Sequence, residues 1–382
     1  MSTIKVNKLE HTSTTDGGIQ LDNAGHVTVD GQQMPTAGGV RNRNMIMNSC
    51  MLIDQRKAGA AHTPAADQTY TLDRWMLRNA GGSGRFSIQQ NGSSPNGIDP
   101  SMLLTVTTTA TPGASEFYAV EQRIEGYVTA PSAIGSSNAK PLTLSFWVKS
   151  SLTGTYCCSF RNSAADRCHV AEYSINAANT WEFKTIQIAA KTDGTWNTTN
   201  GVGAYVDWCL GSGSNFEGST GWQSVNRVAT SNQVDWINTS GATFYLTSVQ
   251  LELGDAATEI QRLNAIDDLY QCERYCQQRK GDGTASTQNT IAGAGCINPG
   301  YSTVFYIPSP KMRGPFDIAH ENCIISDSAT YDSDVTSFGV ANASGDGGYI
   351  TANYGSNGTR ADAQSLRVKA GTAGFFRLEA EL

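Results

Sequence analysis

The stretch from Ala242 to Gly254, ATFYLTSVQLELG, constrains the fold most: it reads as a long β-strand in the middle of a large, polar, β-rich module. Tyr245, Thr247, Val249, Leu251 and Leu253 share one face at period two, whereas Phe244 and Leu246 put apolar weight on the other. Either a bulge lies near Thr247-Ser248 or both faces are covered. Pro141 to Ser150, PLTLSFWVKS, is the expected neighbour, with Leu142, Leu144, Phe146 and Val148 alternating against Thr143, Ser145, Trp147 and Lys149. That is the pattern of a strand with one face in a core and the other towards solvent or a cleft. Two such strands bracketing Gly-, Ser-, Asn- and Thr-rich loops predict a sandwich.

Strands recur at the spacing of about 8–12 residues expected of a sandwich. They are expected over 103–108, 116–127, 142–149, 155–160, 171–175, 181–188, 203–210 and 242–253, the strand count of a jelly roll. In the 203–210 strand, Ala204, Val206 and Trp208 continue one face from Val202, with Tyr205 and Asp207 on the other. Tyr70 to Leu77 carries Tyr70, Leu72, Trp75 and Leu77, with Asp73-Arg74 read as a salt bridge at a strand end. Residues 81–100 (GGSG, NGSSPNG) read as a long loop, functional or inserted.

The flanks differ. Residues 1–41 hold short alternating pairs, Ile4-Val6, Ile19-Leu21 and Val27-Val29, separated by turn residues. Such strands cannot bury apolar faces alone, so the arm is expected either to wrap three copies around a common axis or to order only on a partner. Asn264 to Lys280 changes period: Ile266, Leu269, Tyr270, Cys272, Tyr275 and Cys276 recur at three and four, Asp267-Asp268 lie in the first turn, Arg279-Lys280 in the last, and Gly281 can cap it. This predicts a linker helix, packed either against its own copies or on its own jelly roll. Beyond it, strands are expected over 301–307, 323–326, 349–353, 365–369 and 375–382, forming a small β-sandwich. The expected organisation is all-β: an N-terminal arm (1–41), a jelly roll (42–263), a linker helix (264–281) and a C-terminal β domain (282–382).

The phrases RNMIMNSCMLIDQR (43–56), YTLDRW (70–75), LSFWVKSS, FYLTSVQLELG and DLYQCERYC occur in this order. Together they resemble the carbohydrate-binding-module-like jelly roll of tail fibre and other tail-associated proteins of tailed bacteriophages, over residues 42 to 278. Cys272 and Cys276 depart from the Leu- or Tyr-like residues expected in the last phrase, which touches packing rather than function. The resemblance implies a homotrimeric, non-enzymatic tail fibre made in the host cytoplasm and carried in the virion tail. Residues 1–41 would attach it to other tail proteins and its β domains would face host-surface polysaccharide. A structural adaptor holding neighbouring virion proteins and a glycan-degrading tail enzyme are the alternatives.

Composition narrows the partners. Only 16% of residues are charged, the net charge is -7, and no basic run appears, which argues against a phosphate-tracking surface and hence against nucleic acid. Neither a secretory leader nor an apolar run of about 18 residues is present, so no membrane insertion is expected. The nine cysteines, odd in number and without a C-x-x-C pair, read as reduced, buried apolar residues, with Cys157 and Cys158 on opposite faces. No nucleotide, hydrolase or EF-hand motif occurs, and His11, His26, His62, His169 and His320 lack ligand spacing, so no cofactor and no metal are expected. A glycosidase needs only two carboxylates roughly 5–9 Å apart, which any of the 34 acids could supply.

Sugars present apolar C–H faces and hydroxyl rims, so a sugar site wants exposed rings beside polar side chains. The candidates are aromatics in polar, turn-like contexts: Trp196, Phe216 and Trp222, then Trp236 and the polar-face Trp147. Each could instead lie flat over its own loop or seal an interface between chains. Tyr331, Tyr349 and Tyr354, set among Gly, Ser, Asn and Asp, form a second, C-terminal candidate surface.

Overall fold

In a computed structural model the chain divides into two compact units, Met1–Asn264 and Ala265–Leu382. The structure describes residues 43–281, 289–326, 332–355, 363–369 and 373–382, together with 8–9, 18–21, 27–29 and 32–33 of the arm. Tyr331 and Ile4-Val6 lie outside the described residues.

The first unit is a two-sheet antiparallel sandwich of the jelly-roll kind. One sheet has five strands in the order Glu182–Ile188, Leu142–Ser150, Thr243–Leu253, Ser101–Thr108, Arg85–Asn91. The other has seven: Gly221–Gln223, Cys168–Ile175, Gly154–Arg161, Val202–Ser212, Phe117–Glu125, Trp75–Ala80, Thr69–Tyr70. Leu142–Ser150 and Thr243–Leu253 are neighbours, and the bulge between them is real. Ser145 opposes Gln250 but Trp147 opposes Thr247, so an extra residue is inserted, and Ser248 takes a positive φ of 50°. The inserted residue flips the alternation, so that Phe244, Leu246, Val249 and Leu251 all enter the core.

That core lies between the sheets. Trp75 and Trp208 (centroids 5.6 Å apart) meet Phe146, whose ring stands edge-on to Trp208 at 5.6 Å, and Tyr118, Tyr156, Phe160 and Tyr173 fill the space around them. Cys158 belongs to this core, whereas Cys157 joins a separate cluster on the far side of its sheet, as the alternation requires. All nine cysteines are buried.

Three expectations are corrected. The 81–100 loop is a strand in its first half, Arg85–Asn91, where Phe86 and Ile88 alternate into the core. The predicted helix over 264–280 stops at Glu273, and Cys276–Lys280 is a strand paired with Phe375–Glu379, Cys276 opposite Glu379 and Lys280 opposite Phe375. Pairing with the C-terminal strand overrides the helical period, so Cys272 and Cys276 do not share a helix face. The C-terminal unit is not a sandwich: Asn289–Asn298, Tyr301–Phe305, Gly347–Tyr354, Asp332–Ser344, Cys323–Ser326 and Ala363–Val368 close into a barrel, beside a three-stranded sheet centred on Phe375–Glu379. The small residues Ala292, Gly293, Ala294 and Gly295 of the closing strand leave room for that curvature. In the arm, Lys8–Leu9, Ile19–Leu21, Val27–Val29 and Gln32–Gln33 pair with one another as an antiparallel meander, so the described strands find their partners within one chain.

Candidate functional site

Alternation gives each sheet of the sandwich an outer face, and the two outer faces differ in what covers them. On the five-stranded sheet, Thr143, Ser145, Gln250 and Glu252 are buried beneath the chain itself. Asn44 donates to the Val249 carbonyl at 2.9 Å, the Gln261 backbone donates to Gln250 Oε1 at 2.7 Å, and Thr258 donates to Glu252 at 2.6 Å. Among the described residues of this unit, none covers the other end of the same face, and it is lined with rings.

Trp147 stands directly opposite Phe183, with centroids 5.5 Å apart. Two residues on, Lys149 stands opposite Tyr245, and its ammonium lies 4.0 Å from the centre of that ring and 4.9 Å from the Trp181 ring. Trp181 meets Tyr245 edge-on at 5.9 Å. Phe183 is 47% exposed, and Trp147, Trp181, Tyr245 and Lys149 are half-buried. The 91–100 loop fences the platform. Thr247 donates to the Pro100 carbonyl at 2.7 Å, Arg262 pairs with the buried Asp99, and Lys149 Nζ donates to Ser93 Oγ at 2.9 Å. The result is a row of ring faces with a cation and a hydroxyl at its edge, chemistry suited to the apolar face and hydroxyl rim of a sugar.

The seven-stranded sheet presents charge on its outer face, but that charge is sealed. Arg161 binds Asp207 through Nε and Nη2 at 2.9 and 2.8 Å, reaches Glu121 at 3.1 Å and donates to Asn226 at 2.9 Å. Arg78 and Arg123 also hold Glu121, at 2.8 and 2.9 Å. Glu121 and Asp207 share a hydrogen bond and both are fully buried. Burial pushes Asp207 up to about 7, with Glu121 adding to the rise against the pull of Arg161. Burial would raise Glu121 too, but Arg78, Arg161 and Arg123 hold it down at about 2. Alongside, Phe117, Ala119, Cys157 and Cys209 are capped by Val228, Ala229 and Phe216. This carboxylate pair is a buried structural knot, unlike the open pair that glycoside hydrolysis requires.

Most of the rings picked out from sequence lie elsewhere. Trp236 is fully buried, edge-on to Phe86 at 5.7 Å, and Trp196 is buried and stacked on Phe160 at 5.5 Å. Both looked loop-like because short turns carry them, yet each ring points into the core. Trp222 is half-buried at the sheet edge, packed on His169 (5.2 Å) and Trp196 (6.1 Å), with its indole N–H donating to the Ala189 carbonyl. Burial pushes His169 down to about 4, so this cluster holds a neutral imidazole at physiological pH. Phe216 packs on Phe117 at 4.8 Å. In the barrel, Tyr354 is buried, its hydroxyl bonded to Ser302 and Gln364, while Tyr349 remains 45% exposed. Of the rings named in the sandwich, Trp147 alone joins the platform. Trp181, Phe183, Tyr245, Lys149 and Ser93 were missed. The i, i+2 pair Trp147 and Lys149 carried the available signal, but sequence does not say which strands bring the other rings beside it.

Among the described residues no cluster of three or more His, Cys, Asp or Glu is placed to hold a metal ion, and no helix is long and apolar enough to cross a membrane. No protein-family model and no curated protein matches the chain. Among solved structures, it is similar to the enzymatically active domain of tailspike protein 4 of bacteriophage CBA120, at 12% identity and a TM-score of 0.29 over 56% of this chain. The match spans 22% of that protein's length. It is also similar to the xylanase 10B CBM22-1-GH10 modules of Clostridium thermocellum complexed with xylohexaose (12% identity, TM-score 0.27, 55% of this chain and 28% of that one). A family 11 carbohydrate-binding module of the same organism, in complex with a β-1,3-1,4-mixed-linked tetrasaccharide, gives 11% identity and a TM-score of 0.28 over 52% of this chain and 99% of that one. At these scores the likeness assigns the chain neither a ligand nor an activity.

Proposed function

We propose that the chain is a non-enzymatic glycan-binding protein of a tailed-phage tail, holding host-surface polysaccharide on the ring platform of its five-stranded sheet. The carrying observation is the pairing of Trp147 with Phe183 and of Lys149 with Tyr245 and Trp181 at the uncovered end of an otherwise self-covered face. The tail setting rests on the resemblance of the phrases over 42–278. In this reading the chain is a homotrimer attached to other tail proteins through residues 1–41. Light scattering should then return three times the 40.8 kDa chain mass.

The test is binding of the labelled protein to whole bacterial cells and to their extracted surface polysaccharide. Saturable binding competed by the polysaccharide and lost in Trp147→Ala and Phe183→Ala is expected. Release of short sugars would instead reveal an enzyme. The adaptor reading draws on a different feature, the exposed Phe305 at the end of the second barrel strand and Ile307 just beyond it, which a neighbouring virion protein could cover. Absence of cell binding by a folded chain would favour it.

A further inference from the structure

We infer that the glycan held on the platform carries an anionic substituent, and that the Lys149 ammonium is its counter-ion. This deepens the glycan-binding reading and rests on it. Several half-buried cations elsewhere in the sandwich sit on carboxylates, Lys184 on Glu182 at 2.6 Å, Lys191 on Asp193 at 2.9 Å and Arg167 on Asp193 at 3.3 Å, while Arg85 and Arg227 donate to backbone carbonyls. Exposed lysines such as Lys57 and Lys140 have water and need no partner. Lys149 has neither kind of partner among the described residues: it is half-buried, and its hydrogen bond goes to a serine hydroxyl.

Its three N–H donors meet one acceptor, Ser93 Oγ, and two ring faces. Ring quadrupoles attract a cation without neutralising it or accepting strong hydrogen bonds. Burial lowers the Lys149 pKa, and no neighbouring acid acts to restore it. The site therefore holds uncompensated positive charge at the edge of a surface that suits sugar rings. A neutral sugar would use the rings and offer the ammonium hydroxyl acceptors, but no opposite charge. An acidic sugar supplies the missing charge and acceptor together, through a carboxylate or through a sulfate or phosphate ester.

The experiment measures binding of the 382-residue chain to matched polymers by titration calorimetry: alginate and polygalacturonate beside their carboxyl-reduced forms, and dextran sulfate beside dextran. The charged member of a pair should bind at least about ten-fold more tightly, the size expected for one hydrogen bond to a charged group. The preferred pair identifies the anion. Lys149→Met should lose that preference, binding the charged and neutral members of the pair equally, while keeping its circular dichroism, and Lys149→Arg should retain it. If Lys149→Met keeps the preference while Trp147→Ala loses binding, the anionic assignment is wrong and the platform reading stands. If Trp147→Ala binds like the parent chain, both fall. Equal binding to charged and neutral members, or binding to none, also overturns the assignment.

Discussion

The two outer faces of the sandwich put similar side chains to opposite uses. On the seven-stranded sheet, guanidiniums, carboxylates and rings are matched to one another: Arg161 satisfies Asp207 and Glu121, the Tyr205 ring lies under both Arg123 and Arg161, and a segment carrying Phe216, Val228 and Ala229 covers the rest. On the five-stranded sheet the rings and the lysine have each other and one serine. A face whose charges are internally satisfied contributes stability and has nothing left to offer a ligand. One with an unmatched cation among half-buried rings is less stable alone and can gain on binding.

The largest expected effect comes from opening the sealed face. Arg161→Met leaves Asp207 and Glu121 buried together without their shared partner, and should destabilise the sandwich by about 3–5 kcal/mol in urea unfolding. Trp236→Ala should cost a similar amount, about 3–5 kcal/mol, from the cavity it leaves against Phe86, with glycan affinity unchanged wherever the protein stays folded. If it removed binding without loss of stability, the assignment of the site to Trp147 would be wrong.

The sealed face should also respond to pH. Because Asp207 sits near 7 in the fold against an ordinary 3.8, the folded chain binds more protons than the unfolded one between about 4 and 7. Stability therefore falls as pH rises through that window, by at most about 1.4 kcal/mol per unit for one proton. Asp207→Asn should flatten the slope, and an unchanged slope would assign the proton to another group. Glu121, held near 2, works the other way, its contribution being lost as pH falls below about 4.5.

On the open face, Trp147→Ala should weaken glycan binding about ten-fold or more, with a much smaller stability loss than Trp236→Ala because the ring is only half-buried. Comparing the two tryptophans on one polysaccharide separates a binding ring from a core ring directly. The smallest effect is expected at Tyr349→Ala, where the ring is exposed on the barrel: stability should change by no more than about 0.5 kcal/mol and binding by the sandwich not at all. Lost cell binding in that variant would move the receptor surface to the barrel.

Much of the sandwich was legible in local pattern. The alternation of Leu142–Ser150, the break in alternation at Thr247-Ser248 and the opposite fates of Cys157 and Cys158 follow from period two alone, because neighbouring side chains on a strand must point to opposite faces. The helix over 264–280 failed at its second half because Cys276–Lys280 has a long-range partner, Phe375–Glu379, that local periodicity does not contain. Barrel closure was hidden for the same reason, since it depends on Asn289–Asn298 meeting Ala363–Val368 across some seventy residues of chain.

The binding face divides along the same line. By itself the sequence determined that Trp147 and Lys149 lie on one side of their strand, away from Phe146 and Val148, because each pair is two residues apart. It could not determine that Phe183, Tyr245 and Trp181 complete the platform, nor that Trp196 and Trp236 turn inward. Those outcomes depend on strand order, register and the course of the covering segments, and each brings together residues far apart in the chain. Polar context around an aromatic residue reports its neighbours in sequence. Exposure is decided by its neighbours in space.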